Sequence, residues 1–268
     1  MKLAILQIKV TGDKDTNLKK VKNLYKDSKT READFVILPE MFNCPYEMER
    51  FGEFAEEIPG HTTDFLAKLA SSWETYLVGG SIPEKADGKV FNTSAIFNPR
   101  GELMAKHRKI HLFNVDYPGR IQVDESKFLE PGNKQTMVDT EFGKVGVAIC
   151  YDFRFPELLR SMTLAGSKIL FIPAAFNTTT GPAHWKPVLR ARAIDNQVFV
   201  VAASPARNRA SSYEAYGHSI AIDPWGKVLV EAGEGEEALY VDIDINEIEE
   251  VRKRLPLIED LRPEIYNY

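Results

Sequence analysis

Apolar, β-rich runs alternate with helix-patterned segments along the whole chain, and this alternation restricts the fold more than any other feature. LAILQIKV precedes NLKKVKNLYKDSK, FVILP precedes HTTDFLAKLASSW, and YLVGGSI is followed by FNTSAIF and GELMAKH. A second block repeats the pattern: KVGVAIC before PELLRSMTLAG, KILFIPA before AHWKPVLRARAIDN, then QVFVVAAS, GHSIAID, GKVLVEA, ALYVDIDI and a last helix near INEIEEVRKRL. Such alternation specifies an α/β protein. Two connections, NPRG and DPWG, are turn sequences that join antiparallel strands, so the sheets are expected to be mixed. The pattern never resets, which points to one domain over residues 1–268. No glycine-rich phosphate fingerprint follows Leu6 or Leu38, and no fixed-period repeat marks a solenoid.

Composition excludes several classes. A net charge of −5 and no dense Lys/Arg stripe, Lys106 to Lys109 being the strongest basic cluster, argue against a nucleic-acid partner. The opening MKLAILQIKV superficially resembles a signal peptide, but Gln7 and Lys9 interrupt the apolar run and no small-residue cleavage site follows. No stretch reaches the roughly 18 apolar residues of a membrane span. The expectation is a soluble, cytoplasmic protein with no membrane partner. Two cysteines, Cys44 and Cys150, do not make a disulfide framework at this size, which leaves reduced thiols and a possible nucleophile.

In KVGVAICYDFRFPELLR, an apolar strand ends at Cys150 and a helix begins near Pro156. A strand-to-helix turn displays its residue at the sheet edge beside backbone N–H groups able to hold an oxyanion. Alone, the pattern fits a nucleophile or a packed thiol, since free cysteine is among the most buried residue types. A thiol with a pKa of about 8.5 is mostly protonated at neutral pH and needs a base or a cation. Glu40 ends FVILPE between Pro39 and the apolar Met41 and Phe42, where burial would raise its pKa toward that of a general base; an exposed strand-end acid is the alternative. Lys109, followed by Ile110 and Leu112, could polarise a carbonyl oxygen or simply lie at the surface. His107 and His111 are four apart and could share a helical face, but no HExxH pattern or third ligand accompanies them, so no metal is expected. A Cys–His dyad would pair Cys150 with His184 or His218.

LPE, then RKIH, then a strand ending in ICYDFRFPEL together resemble the Glu–Lys–Cys pattern of the nitrilase superfamily of carbon-nitrogen hydrolases. GPAHWKPVLRARAIDNQVFVVAAS, YGHSIAIDPWGKVL and LAILQ extend the resemblance over essentially the whole chain. Within the superfamily, PEMFNCPY, RKIHLFNVDYPGRIQVDES and AAFNTTTGPAHW are most similar to the ω-amidase branch, although Met41 and Cys44 stand where its animal members carry Cys and Ser.

The resemblance implies a four-layer αββα sandwich of two mixed sheets and a cofactor-free hydrolase of linear amides. Glu40 would be the base, Cys150 the nucleophile forming a thioester, and Lys109 with the Tyr151 backbone N–H the oxyanion donors. A second carboxylate beside Lys109 is implied, with Glu125 the candidate by motif position and Asp116 the fallback. Arg154 would hold the far carboxylate of a dicarboxylic acid monoamide, such as α-ketoglutaramate or α-ketosuccinamate. An ion pair of Arg154 with Asp152 or Glu157 is the structural alternative. Tyr46, Phe113 and Phe176 would wall the pocket. The implied partners are a small amide, water and a second copy of the chain, which would pair through the helix after Cys150 and the tail from about residue 255, including Tyr266 and Tyr268. Rival readings are a deaminated-glutathione amidase, an N-carbamoyl hydrolase, or a non-catalytic binding protein on the same scaffold.

Overall fold

The computed structural model of the protein describes residues 1–26 and 28–266. Tyr268, expected at an interface, lies outside the described residues.

Two mixed sheets stack face to face. One runs in the order Glu237–Asp242, Lys2–Gln7, Phe35–Ile37, Tyr76–Val78, Lys89–Phe97, with Ile82–Ala86 and Leu103–Arg108 both pairing with Lys89–Phe97. The other runs Val228–Glu231, Ile220–Ile222, Phe199–Ala203, Ile169–Pro173, Gly143–Val147, Thr136–Thr140. Each is parallel at its centre and antiparallel toward its edges. Lys2–Gln7, Phe35–Ile37 and Tyr76–Val78 are the parallel trio of the first. Gly143–Val147, Ile169–Pro173 and Phe199–Ala203 are that of the second.

Period-two alternation assigns the layers. Leu3, Ile5, Phe35 and Ile37 of one sheet meet Val145, Val147, Ile169, Phe171, Phe199 and Val201 of the other in one buried cluster. The intervening residues point outward. Ala4, Leu6, Val36 and Leu38 pack on Leu18, Val21 and Tyr25 of helix Lys14–Tyr25 and on Leu66 and Leu69 of helix His61–Ser72. Leu170, Ile172, Val200 and Ala202 pack on Leu159 and Met162 of helix Pro156–Leu164 and on Trp185 and Leu189 of helix Gly181–Asn196. Both faces of the central strands are therefore covered, and for this reason the runs are continuously apolar. The layers are helix, sheet, sheet, helix.

Both expected hairpin turns form. Gly101 N–H bonds the Asn98 carbonyl at 2.9 Å and Gly226 N–H the Asp223 carbonyl at 2.9 Å, each glycine at positive φ. Other boundaries shift. The first helix begins at Lys14, because the Asp13 side chain accepts the Thr16 N–H at 2.7 Å and caps it there. The strand before the cysteine stops at Val147, since Cys150 adopts φ 45°, which no strand residue can. The hairpin Asn114–Tyr117 with Ile121–Asp124 and the strand Thr136–Thr140 add to the strands expected from the apolar runs. No described helix is long and apolar enough to cross a membrane.

Candidate active site

Two turns at the carboxyl ends of central parallel strands face a shared interior. The first follows Phe35–Ile37 and carries Glu40; Met41, next in the chain, has φ 50°. The Gly80–Ser81 backbone grips this turn. Met41 N–H bonds the Ser81 hydroxyl at 3.0 Å, Phe42 N–H the Ser81 carbonyl at 3.2 Å, and Ser81 N–H the Pro39 carbonyl at 3.2 Å. Only glycine fits at position 80: its φ is +58°, and a Cβ there would lie 2.2 Å from the Pro39 carbonyl oxygen. The second turn follows Gly143–Val147 and carries Cys150 at the start of a 3₁₀ turn, Cys150–Arg154, before Pro156 opens the next helix.

Lys109 joins them from the end of strand Leu103–Arg108. Its Nζ, fully buried, donates to Glu40 Oε1 at 3.0 Å and to Glu125 Oε1 at 2.9 Å. Glu125 also accepts the Phe113 N–H at 2.7 Å and a hydrogen bond from the Tyr46 hydroxyl. Asn92 Nδ2 donates to Glu40 Oε1 at 2.8 Å, which leaves Glu40 Oε2 buried without a hydrogen-bond partner among the described residues. Of the two acids proposed for the second carboxylate, Glu125 touches Lys109. Asp116 lies out on the hairpin, accepting from Gln122 at 2.8 Å.

Burial governs the charges. Desolvation raises the Glu40 pKa above the ordinary carboxylate value, and the neighbouring Glu125 charge adds to this against the pull of Lys109. Desolvation opposes the Lys109 charge, but Glu125 and Glu40 together hold the ammonium protonated well above its usual range. Desolvation and the Glu40 charge both push the Cys150 thiol up, outweighing Lys109. At neutral pH the sulfur therefore keeps its proton, and Glu40 is the raised carboxylate that acts on it electrostatically.

Cys150 opens onto a narrow cleft lined by Tyr46, Phe113, Tyr151, Arg154, Phe176 and Tyr213, among others. The Arg154 guanidinium lies 4.9 Å above the Phe176 ring, donates to His184 Nδ1 at 3.2 Å, and has a buried Nε with no partner. Among the described residues it forms no ion pair with Asp152 or Glu157. His184 thus braces Arg154, while the His218 carbonyl accepts the Trp185 indole N–H at 2.7 Å.

Asp152 does something else. Its buried carboxylate accepts Ile149 N–H at 3.0 Å, His111 N–H at 2.8 Å and Ile110 N–H at 3.2 Å, with His111 Nδ1 at 2.9 Å and His107 Nε2 at 3.1 Å also against it. These donors outweigh desolvation and hold its pKa well below the usual value. His107 belongs to a strand, not to a helical face shared with His111, and both rings serve the turn of Cys150. Sequence reasoning also missed Asn92 and Tyr213. Tyr213 stacks on Tyr46 with centroids 4.4 Å apart, and its hydroxyl donates to the Ala175 carbonyl.

The sandwich and this buried Glu–Lys–Glu cluster beside a strained cysteine define a hydrolase scaffold for amide carbon-nitrogen bonds. Residues 2–253 match the carbon-nitrogen hydrolase family, and the chain belongs to it. It is 47% identical over 265 residues to the omega-amidase NIT2 of Mus musculus and 46% identical over 265 residues to that of Homo sapiens, covering 99% of this chain and 96% of each relative. The solved structure of Saccharomyces cerevisiae Nit3, from branch 10 of the nitrilase superfamily, superposes with a TM-score of 0.88 at 42% identity, covering 99% of this chain and 97% of that one. The C. elegans NitFhit protein gives 0.90 at 30% identity, covering 99% of this chain and 66% of that one.

Proposed function

We propose that the protein is an ω-amidase that releases ammonia from a dicarboxylic acid monoamide such as α-ketoglutaramate or α-ketosuccinamate. One observation carries the substrate class: a half-buried guanidinium, Arg154, with an unpartnered donor on the same cleft as Cys150. A half-buried cation that pairs with no anion among the described residues favours a ligand that brings one, and its planar fork suits a carboxylate. The identity to relatives named omega-amidase supports the same reading.

Glu40 takes the Cys150 proton and the thiolate attacks the amide carbon. Lys109 Nζ and the Tyr151 N–H, in the first positions of the 3₁₀ turn Cys150–Arg154, stabilise the oxyanion; one such donor is worth on the order of 100-fold in rate. Glu40 returns the proton to the departing nitrogen, the C–N bond breaks, and ammonia leaves a thioester that water hydrolyses with Glu40 again as base. Glu125 fixes Lys109, while Tyr46, Phe113 and Phe176 wall the acyl chain. Two copies pair through helix Pro156–Leu164 and the C-terminal tail in the cytoplasm; exposed Leu164, Ile265 and Tyr266 support that contact, and sedimentation checks it.

Ammonia release tests the assignment. Wild type should hydrolyse α-ketoglutaramate in preference to deaminated glutathione and N-carbamoyl amino acids. Cys150→Ala should lose activity by about 1,000-fold or more. Arg154→Met should raise KM for the dicarboxylic monoamide far more than for a plain aliphatic amide. Preference for deaminated glutathione would move the protein to a sibling activity, and equal KM changes for both amides would remove Arg154 from substrate binding.

A further inference from the structure

A second cavity reaches the site from the other side of the tyrosine pair. It is lined by Glu40 and Met41 and opens past Val10, Asn208 and Ser211, but does not touch Cys150; the Cys150 cleft, conversely, does not touch Glu40. Tyr46, Ala175 and Tyr213 line both and form the partition.

We infer that this cavity is the access route and holding site for the water that hydrolyses the thioester, so that substrate and water approach from opposite sides. The inference rests on the amidase reading above. Three observations carry it. The first is room: the space open to the centre of a water molecule is about 30 Å³ in the Glu40 cavity and about 10 Å³ in the Cys150 cleft. The Glu40 cavity therefore has about three times the room of the cleft, and an acyl group on Cys150 would displace water from the cleft and not from the cavity. The second is the base. Lys109 and Asn92 both occupy Glu40 Oε1, and Oε2 is the buried oxygen left over. Once sulfur is acylated no thiol proton competes for Oε2, and an unpartnered buried carboxylate oxygen is stabilised by a water that donates to it. The third is access: Val10, Asn208 and Ser211 are all partly exposed, so solvent reaches the mouth without passing the substrate.

In the step itself the water oxygen bonds to the thioester carbon as its proton passes to Glu40 Oε2. The carbon–sulfur bond then breaks, and Glu40 returns the proton to Cys150 Sγ as the acid departs.

Bulk at the mouth tests this. Ser211→Phe and, from a different element, Val10→Phe should slow deacylation alone. With α-ketoglutaramate, kcat should fall about tenfold and KM should fall by the same factor, so that kcat/KM, which reports acylation, stays at the wild-type value. Acid-quenched intact mass should show the acyl-enzyme accumulating in either variant. Unchanged kcat in both folded variants overturns the route, as does a kcat/KM that falls with kcat, which would indicate a disturbed cleft. A wild type that releases no ammonia from any amide overturns the amidase reading first, a result distinct from an active wild type with indifferent variants.

Discussion

The turns carrying Glu40 and Cys150 begin alike and are held by opposite means. Each key residue lies three positions past the end of a central parallel strand, after Ile37 and after Val147, and each turn contains a non-glycine residue at positive φ, Met41 at 50° and Cys150 at 45°. Such conformations cost roughly 1–3 kcal/mol and persist only where their surroundings over-determine them. Around Glu40 the restraint is neutral: backbone and hydroxyl bonds from Gly80–Ser81. Around Cys150 it is a charge, the Asp152 carboxylate gathering donors from its own turn and from residues 107–111. Burial is the largest influence on both carboxyls, yet Asp152 is shifted down and Glu40 up. The number of dedicated donors decides the direction. Asp152 is saturated with donors; Glu40 shares one ammonium with Glu125 and has only Asn92 besides.

The largest effect should come from removing the charged restraint. Asp152→Ala leaves the N–H groups of Ile149, Ile110 and His111 without their acceptor, and urea denaturation should show a loss of about 3–5 kcal/mol. A loss under about 1 kcal/mol would mean that the two turns do not differ in the way described. Gly80→Ala attacks the neutral restraint. With φ +58° and backbone in the way, it should cost about 1–3 kcal/mol and reduce turnover by displacing Glu40, while amide hydrogen exchange at Ile149 and His111, which donate to Asp152 around the other turn, stays at the wild-type rate. Faster exchange at those amides would show that the turns are mechanically one unit.

How far this contrast is legible in the sequence depends on the distance between partners. The strands and layers were readable because period-two alternation is local: Leu3 and Ile5 face one way and Ala4 and Leu6 the other. Glu40 and Cys150 stand out as polar or reactive residues ending apolar runs. In the sequence Asp152 stands out only as a possible neighbour for Arg154, two positions on, because its true partners, His107 and His111, are 45 and 41 residues upstream. Asn92 sits in an apolar strand and acquires meaning only when pairing brings it to Glu40. The Asn114–Asp124 hairpin does alternate, Val115 and Tyr117 on one strand and Ile121 and Val123 on the other, but in four-residue runs too short to stand out beside the long apolar strands.

A smaller, opposite effect is expected at Glu40. Glu40→Gln removes a charge that its surroundings disfavour, while Lys109 keeps Glu125. Its melting should therefore show a gain of about 0.5–2 kcal/mol at neutral pH, alongside lost turnover.

The dependence of these differences on pH makes the finest distinction. A carboxyl with a raised folded pKa costs stability as pH climbs from its unfolded value through the folded one, because the folded state retains a proton that the unfolded chain has released. The advantage of Glu40→Gln over wild type should thus be near zero in acid and grow as pH rises above the ordinary glutamate range. Asp152 behaves conversely. Its depressed pKa contributes stability that is fully present above the ordinary aspartate range and is lost as pH falls below it, so the deficit of Asp152→Asn should be largest at neutral pH and shrink in acid. Chemical denaturation of wild type and both variants from pH 3 to pH 8 measures the two differences. As pH rises they should diverge, one variant gaining on wild type and the other falling behind. Parallel curves would mean that donor number does not set the direction of the shift, and that the two turns are charged alike.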